Sequence, residues 1–300
     1  MNPSSTRNMY TGIGLAVLAT LIWSGNFIVA RAVHHEVPPI ALNFYRWLVA
    51  AIILLPFALK KMVDDWPAIK KSWHYLFWVS LMGVSLFNSF VYIGAHYTSA
   101  INLALIGTTT SPVMSVMFAR IFLKEKVGIM KLLGMLLCIA GVLYLLSKGN
   151  IENLLSLRFG KGDQWMLQAA YCFAVYNTMV KKKPSSISPQ GFLLFIFSLG
   201  TLLLLPFYFW ESGQYPQVVC NSKLALSVLY LGLGASIICF LIWNKAIGYL
   251  GAGRTALFGN LIPVFSSIGS VLLLHEKITF VHLVSFLFIV TGLALANIRS

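Results

Sequence analysis

The chain has 300 residues, of which 58% are apolar and only 10% are charged, and its formal net charge is +14. A soluble domain carries roughly 25% charged residues, so this composition excludes an ordinary soluble protein. The basic residues cluster at the ends of apolar segments, which indicates anchoring to a membrane rather than binding to nucleic acid. Apolar helices cross a bilayer because they satisfy their own backbone hydrogen bonds. The sequence therefore predicts an all-α integral membrane protein.

Apolar segments of about the length that a bilayer requires follow one another along almost the whole chain. They predict ten transmembrane helices, at residues 10–32, 38–59, 73–96, 98–122, 127–147, 163–180, 188–210, 224–247, 254–274 and 278–297. The longest connection is the polar segment 148–162, which separates a first unit, 1–147, from a second, 163–300. The first apolar segment is longer than the core of a signal peptide, so we expect a retained helix.

Lysine and arginine residues are distributed unequally between the two predicted sides of the membrane. If the N-terminus is cytoplasmic, fifteen of the 22 basic residues lie on the cytoplasmic side, six lie outside, and Arg46 lies within a span. Cytoplasmic loops carry an excess of Lys and Arg. We therefore expect both termini in the cytoplasm of a multi-pass cell-membrane protein, in the inner membrane if the cell is a Gram-negative bacterium.

Residues 95–146 resemble residues 246–297 at a constant offset of 151, without gaps. Matched pairs are Pro112 with Pro263, Ser115 with Ser266, Glu125 with Glu276, and Gly141 with Gly292. Each copy would hold five helices, so the second must enter the membrane from the opposite side. Inverted repeats commonly surround a substrate site near the bilayer midplane. This predicts two inverted five-helix repeats around a central cavity, although a helix pair duplicated only for packing is the alternative.

Four features of the sequence occur together: Trp23-Ser24-Gly25-Asn26-Phe27, Arg46, the spacing from Pro112 to Glu125, and its repetition from Pro263 to Glu276. In combination they resemble the drug/metabolite transporter superfamily, and most closely its ten-helix EamA-type exporters. The resemblance covers essentially the whole chain and implies a ten-helix bundle that moves small metabolites, often amino acids, usually outward. Phe173 departs from the tryptophan that the family often has in helix 6.

Arg46 is the most informative single residue, because it lies about 12 Å along predicted helix 2 at 1.5 Å per residue. An ionisable group within a membrane segment marks a candidate functional site. All eight acidic residues fall at predicted helix ends or in loops, so none shares the depth of Arg46. Arg46 could bind a substrate carboxylate with its planar fork of donors, or it could make a structural or gating contact.

Polar and aromatic residues from several helices could line a cavity at this depth. The candidates are Trp23, Asn26, Asn43, Arg46, Asn88, Tyr92, Tyr176, Asn177, Trp243, Asn244 and Asn260. Convergent amides and aromatic walls suit a small amphipathic solute, but such amides also bond helices to one another. Pro112 and Pro263 are candidate hinges or static bends, and Glu125 and Glu276 are candidate gates or solvated loop residues.

Other functions are less compatible with the sequence. A phosphate-binding G-x-x-x-x-G-K-[ST] loop is missing, which excludes an ATP-driven pump within this chain, and no catalytic constellation is visible. We expect no cofactor and no metal; the partners are membrane lipids and a small-molecule substrate, with a homo-oligomer left open. Uptake or exchange of S-adenosylmethionine or a nucleotide-sugar-like solute is the alternative transport function. A non-transporting scaffold or receptor is the alternative of another class.

The sequence offers no evident carboxylate within a span that would couple transport to protons. Proton-coupled carriers often titrate a carboxylate within the membrane, and the sequence places none there. His96 and His275 lie near helix ends, where an interfacial role is expected. Facilitated exchange or downhill efflux is therefore favoured, with proton coupling left open.

Overall fold

The structure is a computed structural model that describes residues 3–122, 128–150, 152–153, 159–180, 182–215, 218–219, 221–250, 255 and 258–296. Within these ranges the regular structure is helical throughout and includes no strand. The prediction of an all-α protein is therefore confirmed.

The helices follow the predicted order along the chain. They are α1 (Pro3–Ala32), α2 (Pro39–Asp64), α3 (Trp66–Lys71), α4 (Trp73–Ala95), α5 (Ala100–Phe122), α6 (Ile129–Leu146), α7 (Lys161–Val180), α8 (Pro189–Ser212), α9 (Ser222–Leu250), α10 (Leu261–Leu274) and α11 (Phe280–Ala296). The short helix α3 was not predicted. Helix α2 continues beyond its apolar segment through Lys60 and Lys61, because backbone hydrogen bonding does not stop where the side chains become polar.

Six of the described helices are long and apolar enough to cross a membrane, namely α1, α2, α4, α5, α8 and α9. Shorter apolar stretches occur at Leu132–Leu146, Leu261–Leu274 and Phe280–Gly292. The chain is thus a multi-pass membrane protein. The number of ten spans remains a prediction.

Helices α2 and α8 pack extensively against each other in antiparallel orientation. At one end, the Asp65 carboxylate accepts hydrogen bonds from the backbone N–H and the hydroxyl of Ser188, at 2.8 and 2.6 Å. At the other end, the Glu211 carboxylate accepts from the backbone N–H groups of Ile40 and Ala41, at 3.1 and 2.7 Å. Each carboxylate thus satisfies N–H groups that the start of a helix leaves without an intrahelical partner.

Helices α6 and α11 form a second antiparallel pair with very close backbones. A Cβ atom on Gly141 would lie 3.0 Å from the Ser285 carbonyl oxygen, and one on Gly292 would lie 2.6 Å from the Gly134 carbonyl oxygen. Gly141 plus 151 is Gly292, and Gly134 plus 151 is Ser285. The two contacts are therefore related by the offset, with the roles of α6 and α11 exchanged. The same offset that relates the two halves of the sequence therefore relates the contacts between these helices.

Two helices contain a segment of wider, π-helical turns, which commonly occur at functional sites. These segments are Leu81–Leu86 in α4 and Tyr230–Ile238 in α9. On adding 151, the first segment falls at residues 232–237, within the second. Both halves of the chain thus carry the same backbone irregularity at the same place.

The apolar side chains form two main buried clusters. One includes Tyr92, Ile101 and Leu105 and joins α1, α4, α5 and α7. The other includes Trp47 and Ile196 and joins α2, α4 and α8. Tyr92 and Trp47 both contact Arg46, which therefore lies where the two clusters meet.

Candidate functional site

Arg46 is buried, with 6% of its surface exposed, and it forms the centre of a polar network. Its Nη1 shares two hydrogens among three acceptors, namely Asn26 Oδ1 at 2.6 Å, Asn88 Oδ1 at 2.9 Å and the Tyr92 hydroxyl at 2.8 Å. Its Nε donates to the Ser236 hydroxyl at 3.0 Å. Four of the predicted site residues are thus brought together, from α1, α2 and α4.

Neutral oxygen atoms surround the guanidinium, and no carboxylate of a described residue forms a salt bridge with it. These oxygens stabilise the positive charge by charge-assisted hydrogen bonds but do not neutralise it. Nη2 has no hydrogen-bond partner among the residues that the structure describes. The network therefore fixes the orientation of Arg46 and leaves the N–H groups of Nη2 available to a further acceptor.

The π-helical segment of α9 supplies Ser236, which sequence reasoning missed. The Ser236 hydroxyl accepts from Arg46 and donates to the Leu231 carbonyl oxygen at 2.8 Å, five residues earlier. Such a bond spans one wide turn of a π-helix. A serine in an apolar segment gives no sequence signal for this role, because the wide turn cannot be read from the residue types.

The π-helical segment of α4 is held by Asn43, which forms no hydrogen bond with Arg46 among the contacts of the described residues. Its Nδ2 donates to the Ser85 carbonyl oxygen and to the Ser89 hydroxyl, both at 2.9 Å, and more weakly to the Val84 carbonyl oxygen at 3.4 Å. Asn43 therefore fastens α2 to the irregular turn of α4. The structure assigns it this structural contact rather than a place in the Arg46 network.

Two tryptophans that were predicted to line a cavity contact each other beside this network. The rings of Trp23 and Trp243 lie 5.1 Å apart, and Trp23 Nε1 donates to the Ala235 carbonyl oxygen at 3.0 Å. Tyr230 bonds α9 to α1 nearby through its hydroxyl, which donates to the Ile22 carbonyl oxygen at 2.6 Å. Helices α1 and α9 thus contribute an aromatic wall close to Ser236.

The remaining cavity candidates are dispersed. Tyr176 stacks on Phe173, with ring centroids 5.7 Å apart, and lies against Gly83 of the π-helical segment of α4. Asn177 is half-buried, and Asn244 is exposed. Asn260 precedes the first turn of α10. Their membership of a substrate site stays a prediction.

The two candidate hinge prolines occupy different places in their helices. Pro112 is exposed in the interior of α5. Pro263 is the third residue of α10, so it lies in a first turn, where a missing N–H breaks no intrahelical bond. The turn at Gly259 and Asn260 lies just before it, and the missing N–H of Pro263 is the one that would otherwise bond to the Gly259 carbonyl oxygen, so the role of Pro263 as a hinge or static bend stays a prediction.

Of the two candidate gates, Glu276 has a defined contact, whereas Glu125 lies outside the described residues. His275 ends α10 with a left-handed backbone, φ 54°, and the N–H of Glu276 then donates to the Ser270 carbonyl oxygen at 3.2 Å. This turn directs the Glu276 carboxylate to the start of α5. There it accepts from the backbone N–H groups of Ala100 and Ile101, at 2.8 and 3.2 Å.

A polar cavity of about 290 Å³ opens at the predicted outer face. It is lined by His34, His35, Glu36, Val37, Pro38, His96, Tyr215, Val219 and Asn221. Burial, followed by the charges of His34, His35 and Arg31, lowers the pKa of His96 to about 4. These imidazoles do not form a metal site, and the described part of the chain contains no cluster of metal-ligating side chains elsewhere.

Two buried carboxylates were expected only as groups at helix ends. Asp163, in the first turn of α7, and Glu211, at the end of α8, are 6% and 4% exposed. Their positions at helix ends are as predicted, but their burial was missed. The cause is that neighbouring helices cover them, which a single helix pattern does not reveal.

Comparison with known proteins places these features in a family. The model of the EamA-like transporter family matches residues 10–147 and 160–298. An "uncharacterized transporter" of Archaeoglobus fulgidus is 28% identical, over 95% of this chain and 96% of that protein. A "probable amino-acid metabolite efflux pump" of Escherichia coli is 24% identical, over 93% of this chain and 92% of that protein.

A solved crystal structure has the same fold, with a TM-score of 0.59 at 20% identity, over 99% of this chain and 97% of that one. The resemblance found in the sequence is therefore confirmed. Two matches of one family model, together covering most of the residues, leave no ambiguity: this chain belongs to the EamA-like transporter family.

Proposed function

We propose that this chain is a secondary transporter that exports amino acids or related amphipathic solutes by alternating access. The observation that carries the proposal is the orientation of Arg46, which is held on two of its nitrogen atoms by neutral groups, while Nη2 has no hydrogen-bond partner in the described part of the chain. A buried, fixed and uncompensated guanidinium favours a solute with a carboxylate. The name of the Escherichia coli relative supports the same class of solute.

Alternating access would come from ten helices arranged as two inverted repeats, 1–147 and 163–300, joined by 148–162. Three observations support this arrangement: the offset of 151 in the sequence, its recurrence in the contacts between α6 and α11, and its recurrence in the π-helical segments. Repeat-related helices that pack antiparallel are expected of an inverted repeat. Residues Asn26, Arg46, Asn88, Tyr92 and Ser236 would then bind the polar end of the solute.

Counterflow in proteoliposomes tests the substrate class. Purified protein is reconstituted, loaded in turn with unlabelled amino acids, S-adenosylmethionine or a nucleotide sugar, and assayed for uptake of the labelled compound. We expect counterflow with at least one amino acid. Counterflow with S-adenosylmethionine or the nucleotide sugar alone would replace the proposed substrate class by the alternative one, and no counterflow with any compound would contradict transport of these solutes.

Variants at Arg46 test its role with the amino acid that gives the strongest signal. R46Q removes the charge and should reduce counterflow at least tenfold, because one charge-assisted hydrogen bond is worth about 1.5–3 kcal/mol. Y208F, which removes a hydroxyl that bonds to Tyr45 outside this network, is the matched control. Since R46Q could fail to fold, Y92F provides a milder change. Unaltered transport by a folded R46Q protein would reject the role of Arg46.

Inverted topology can be tested without a substrate. In a background without the native cysteines, K126C and K277C are labelled with a membrane-impermeant maleimide in intact and opened vesicles of known orientation. We expect the two positions to react from opposite sides of the membrane. Reaction from the same side would refute the inverted arrangement.

A further inference from the structure

An unbroken line of side-chain hydrogen bonds joins α11, α5 and α7 near the predicted outer face. His282 Nε2 lies 3.0 Å from Asn102 Oδ1, and Asn102 Nδ2 donates to the Thr98 hydroxyl at 3.1 Å. The Thr98 hydroxyl is in turn 3.2 Å from Asp163 Oδ1. A histidine on one helix is thus connected to a buried carboxylate on another through two neutral residues.

The backbone determines the direction of these bonds. The N–H of Thr279 donates to His282 Nδ1 at 2.9 Å, and a backbone N–H cannot accept. Nδ1 is therefore unprotonated, so the proton of a neutral imidazole is on Nε2 and is donated to Asn102. Because the Asn102 amide then donates to Thr98, the Thr98 hydroxyl is free to donate to Asp163. Every member of the line has a partner when His282 is neutral and Asp163 is ionised.

We propose that His282 is a proton-binding site of the transporter, through which acidification loosens the connection between α10 and α11 at the predicted outer face. A proton from water would bind to Nδ1 and break the bond from the Thr279 N–H. The new Nδ1–H could donate to the Thr279 hydroxyl, which lies 2.9 Å away, and the bond from Nε2 to Asn102 would remain. The start of α11 would then lose the acceptor for its first N–H group. This proposal rests on the proposed transport function only for its physiological meaning.

The groups around His282 determine how the added charge is balanced. On the connection before α11, Glu276 interacts electrostatically with His282 and also caps the start of α5. On α7, Asp163 lies at the far end of the line, and Lys148, after α6, interacts with Asp163. Helix α5 contributes only the neutral Asn102 to the line. Burial of the imidazole opposes the added charge and Glu276 favours it, whereas Asp163 and Lys148 lie at the far end of the line.

The consequence for the protein would be a change at one end of the bundle. The connection that carries Glu276 also links α10 to the start of α5. Loosening the first turn of α11 would weaken this capping contact, because Glu276 and Thr279 lie on the same short segment. Access from the predicted outer side would then depend on the external pH.

Hydrogen exchange of the full-length protein in lipid nanodiscs tests the proposal without a substrate. Exchange of the amides of residues 279–283 is measured by mass spectrometry between pD 8 and pD 5, and is corrected for the intrinsic pH dependence of exchange. We expect their protection to fall about tenfold in the wild-type protein as the pD is lowered, the size expected from the loss of one hydrogen bond.

Two substitutions separate the two ring nitrogens. In H282N, the amide oxygen takes the place of Nδ1 and can still accept from Thr279, whereas in H282Q the amide nitrogen takes the place of Nε2 and can still donate to Asn102. Neither residue titrates. We expect constant high protection for H282N and constant low protection for H282Q. H74Q, which replaces an exposed histidine at the start of α4, is the matched control and should retain the wild-type response.

The pH dependence of amide protection in the wild-type protein and in the variants decides whether His282 is the proton-binding site. Protection that does not depend on pH in the wild-type protein, or a full pH response that persists in both H282N and H282Q, would overturn the proposal. D163N removes the charge at the far end of the line, so the loss of amide protection should occur at lower pH than in the wild-type protein. If protection is lost at an unchanged pH, Asp163 has no part in the proposal. Since exchange requires no substrate, a negative counterflow screen would contradict the proposed function and leave this result unaffected.

Discussion

The Glu211 carboxylate, near the end of α8, accepts a hydrogen bond of 2.7 Å from the backbone N–H of Ala41, in the first turn of α2. Its counterpart at the opposite end of the same helix pair is the bond from Ser188 to Asp65. An acidic residue at the end of one helix thus caps the start of its antiparallel neighbour, at both ends. Both ends of the pair of α2 and α8 are thereby joined by hydrogen bonds.

Removing the Glu211 cap should destabilise the protein. E211A leaves two backbone N–H groups without their partner in a buried place, and a hydrogen bond to a charged group contributes about 1.5–3 kcal/mol. E211Q keeps one acceptor, so its effect should be about half as large. The measurement is the midpoint of thermal unfolding in detergent, for which about 1 kcal/mol corresponds to roughly 2–4 °C in a chain of 150–250 residues.

E152Q is the control for this pair, because the Glu152 side chain is exposed. It should shift the midpoint by less than about 1 °C, as expected of a surface substitution. An equal shift in E152Q and E211A would mean that the cap contributes nothing specific.

Adding a methyl group where α6 and α11 touch should also be destabilising. In G292A the new Cβ would lie 2.6 Å from the Gly134 carbonyl oxygen and 2.8 Å from the Cys138 backbone nitrogen, and backbone atoms cannot move aside. Overpacking of this kind costs about 1–3 kcal/mol. We expect a lower midpoint of thermal unfolding for G292A and, by the related contact with Ser285, for G141A.

Gly14 provides the matched control for these substitutions, since a Cβ atom there would meet nothing within 4 Å. G14A should leave the midpoint unchanged or raise it, because alanine is favoured over glycine in a helix by roughly 0.5–1 kcal/mol. A G292A protein as stable as G14A would show that the backbones of α6 and α11 are not in close contact.

Asn43 should be required for stability rather than for solute binding. N43A removes the amide that satisfies the Ser85 carbonyl oxygen and the Ser89 hydroxyl, and leaving buried polar groups unpaired costs about 1–3 kcal/mol each. We expect a lower unfolding midpoint and faster hydrogen exchange across residues 81–89. N244A, at an exposed side chain, should change neither quantity. Normal stability with lost counterflow in N43A would instead place Asn43 in the substrate site.

The lowered pKa of His96 predicts that the folded protein loses stability in acid. Its pKa is about 4 in the folded protein, below the ordinary value of 6.5, because burial and the nearby His34, His35 and Arg31 disfavour the charged form. The unfolded chain therefore binds a proton that the folded chain does not, and stability should be complete above pH 6.5 and decrease as the pH falls towards 4.

Unfolding midpoints measured at several pH values between 7.5 and 4.5 test this dependence. The fall in the midpoint should be smaller in H96N than in the wild-type protein, and should be unchanged in H74Q. Because His96 is only partly buried, we expect the fall in the unfolding midpoint to differ between H96N and the wild-type protein by a few degrees at most. Identical curves for H96N and the wild-type protein would show that His96 is not the group responsible.

Much of the candidate site could be predicted because charge and amide groups within an apolar segment are conspicuous. Arg46, Asn26, Asn88 and Tyr92 stand out for this reason, and the structure joins them by direct hydrogen bonds. Asn43 and Asn244 stand out equally in the sequence, yet one bonds to a π-helical turn and the other is exposed. A residue type indicates that a polar group needs a partner, but not which partner it will have.

What the sequence by itself determined is the class of the protein, its all-helical membrane character and the relation between its halves. The class and the helical membrane character follow from composition and from local periodicity, and the relation between the halves follows from the constant offset of 151 between similar residues. Only the tertiary structure decided that Ser236 completes the shell of Arg46, that Glu211 and Asp65 cap neighbouring helices, and that His282 is linked to Asp163. The bonds of Ser236, Glu211 and Asp65 join residues more than a hundred positions apart, and their geometry depends on helix packing and on wide helical turns that no local pattern encodes.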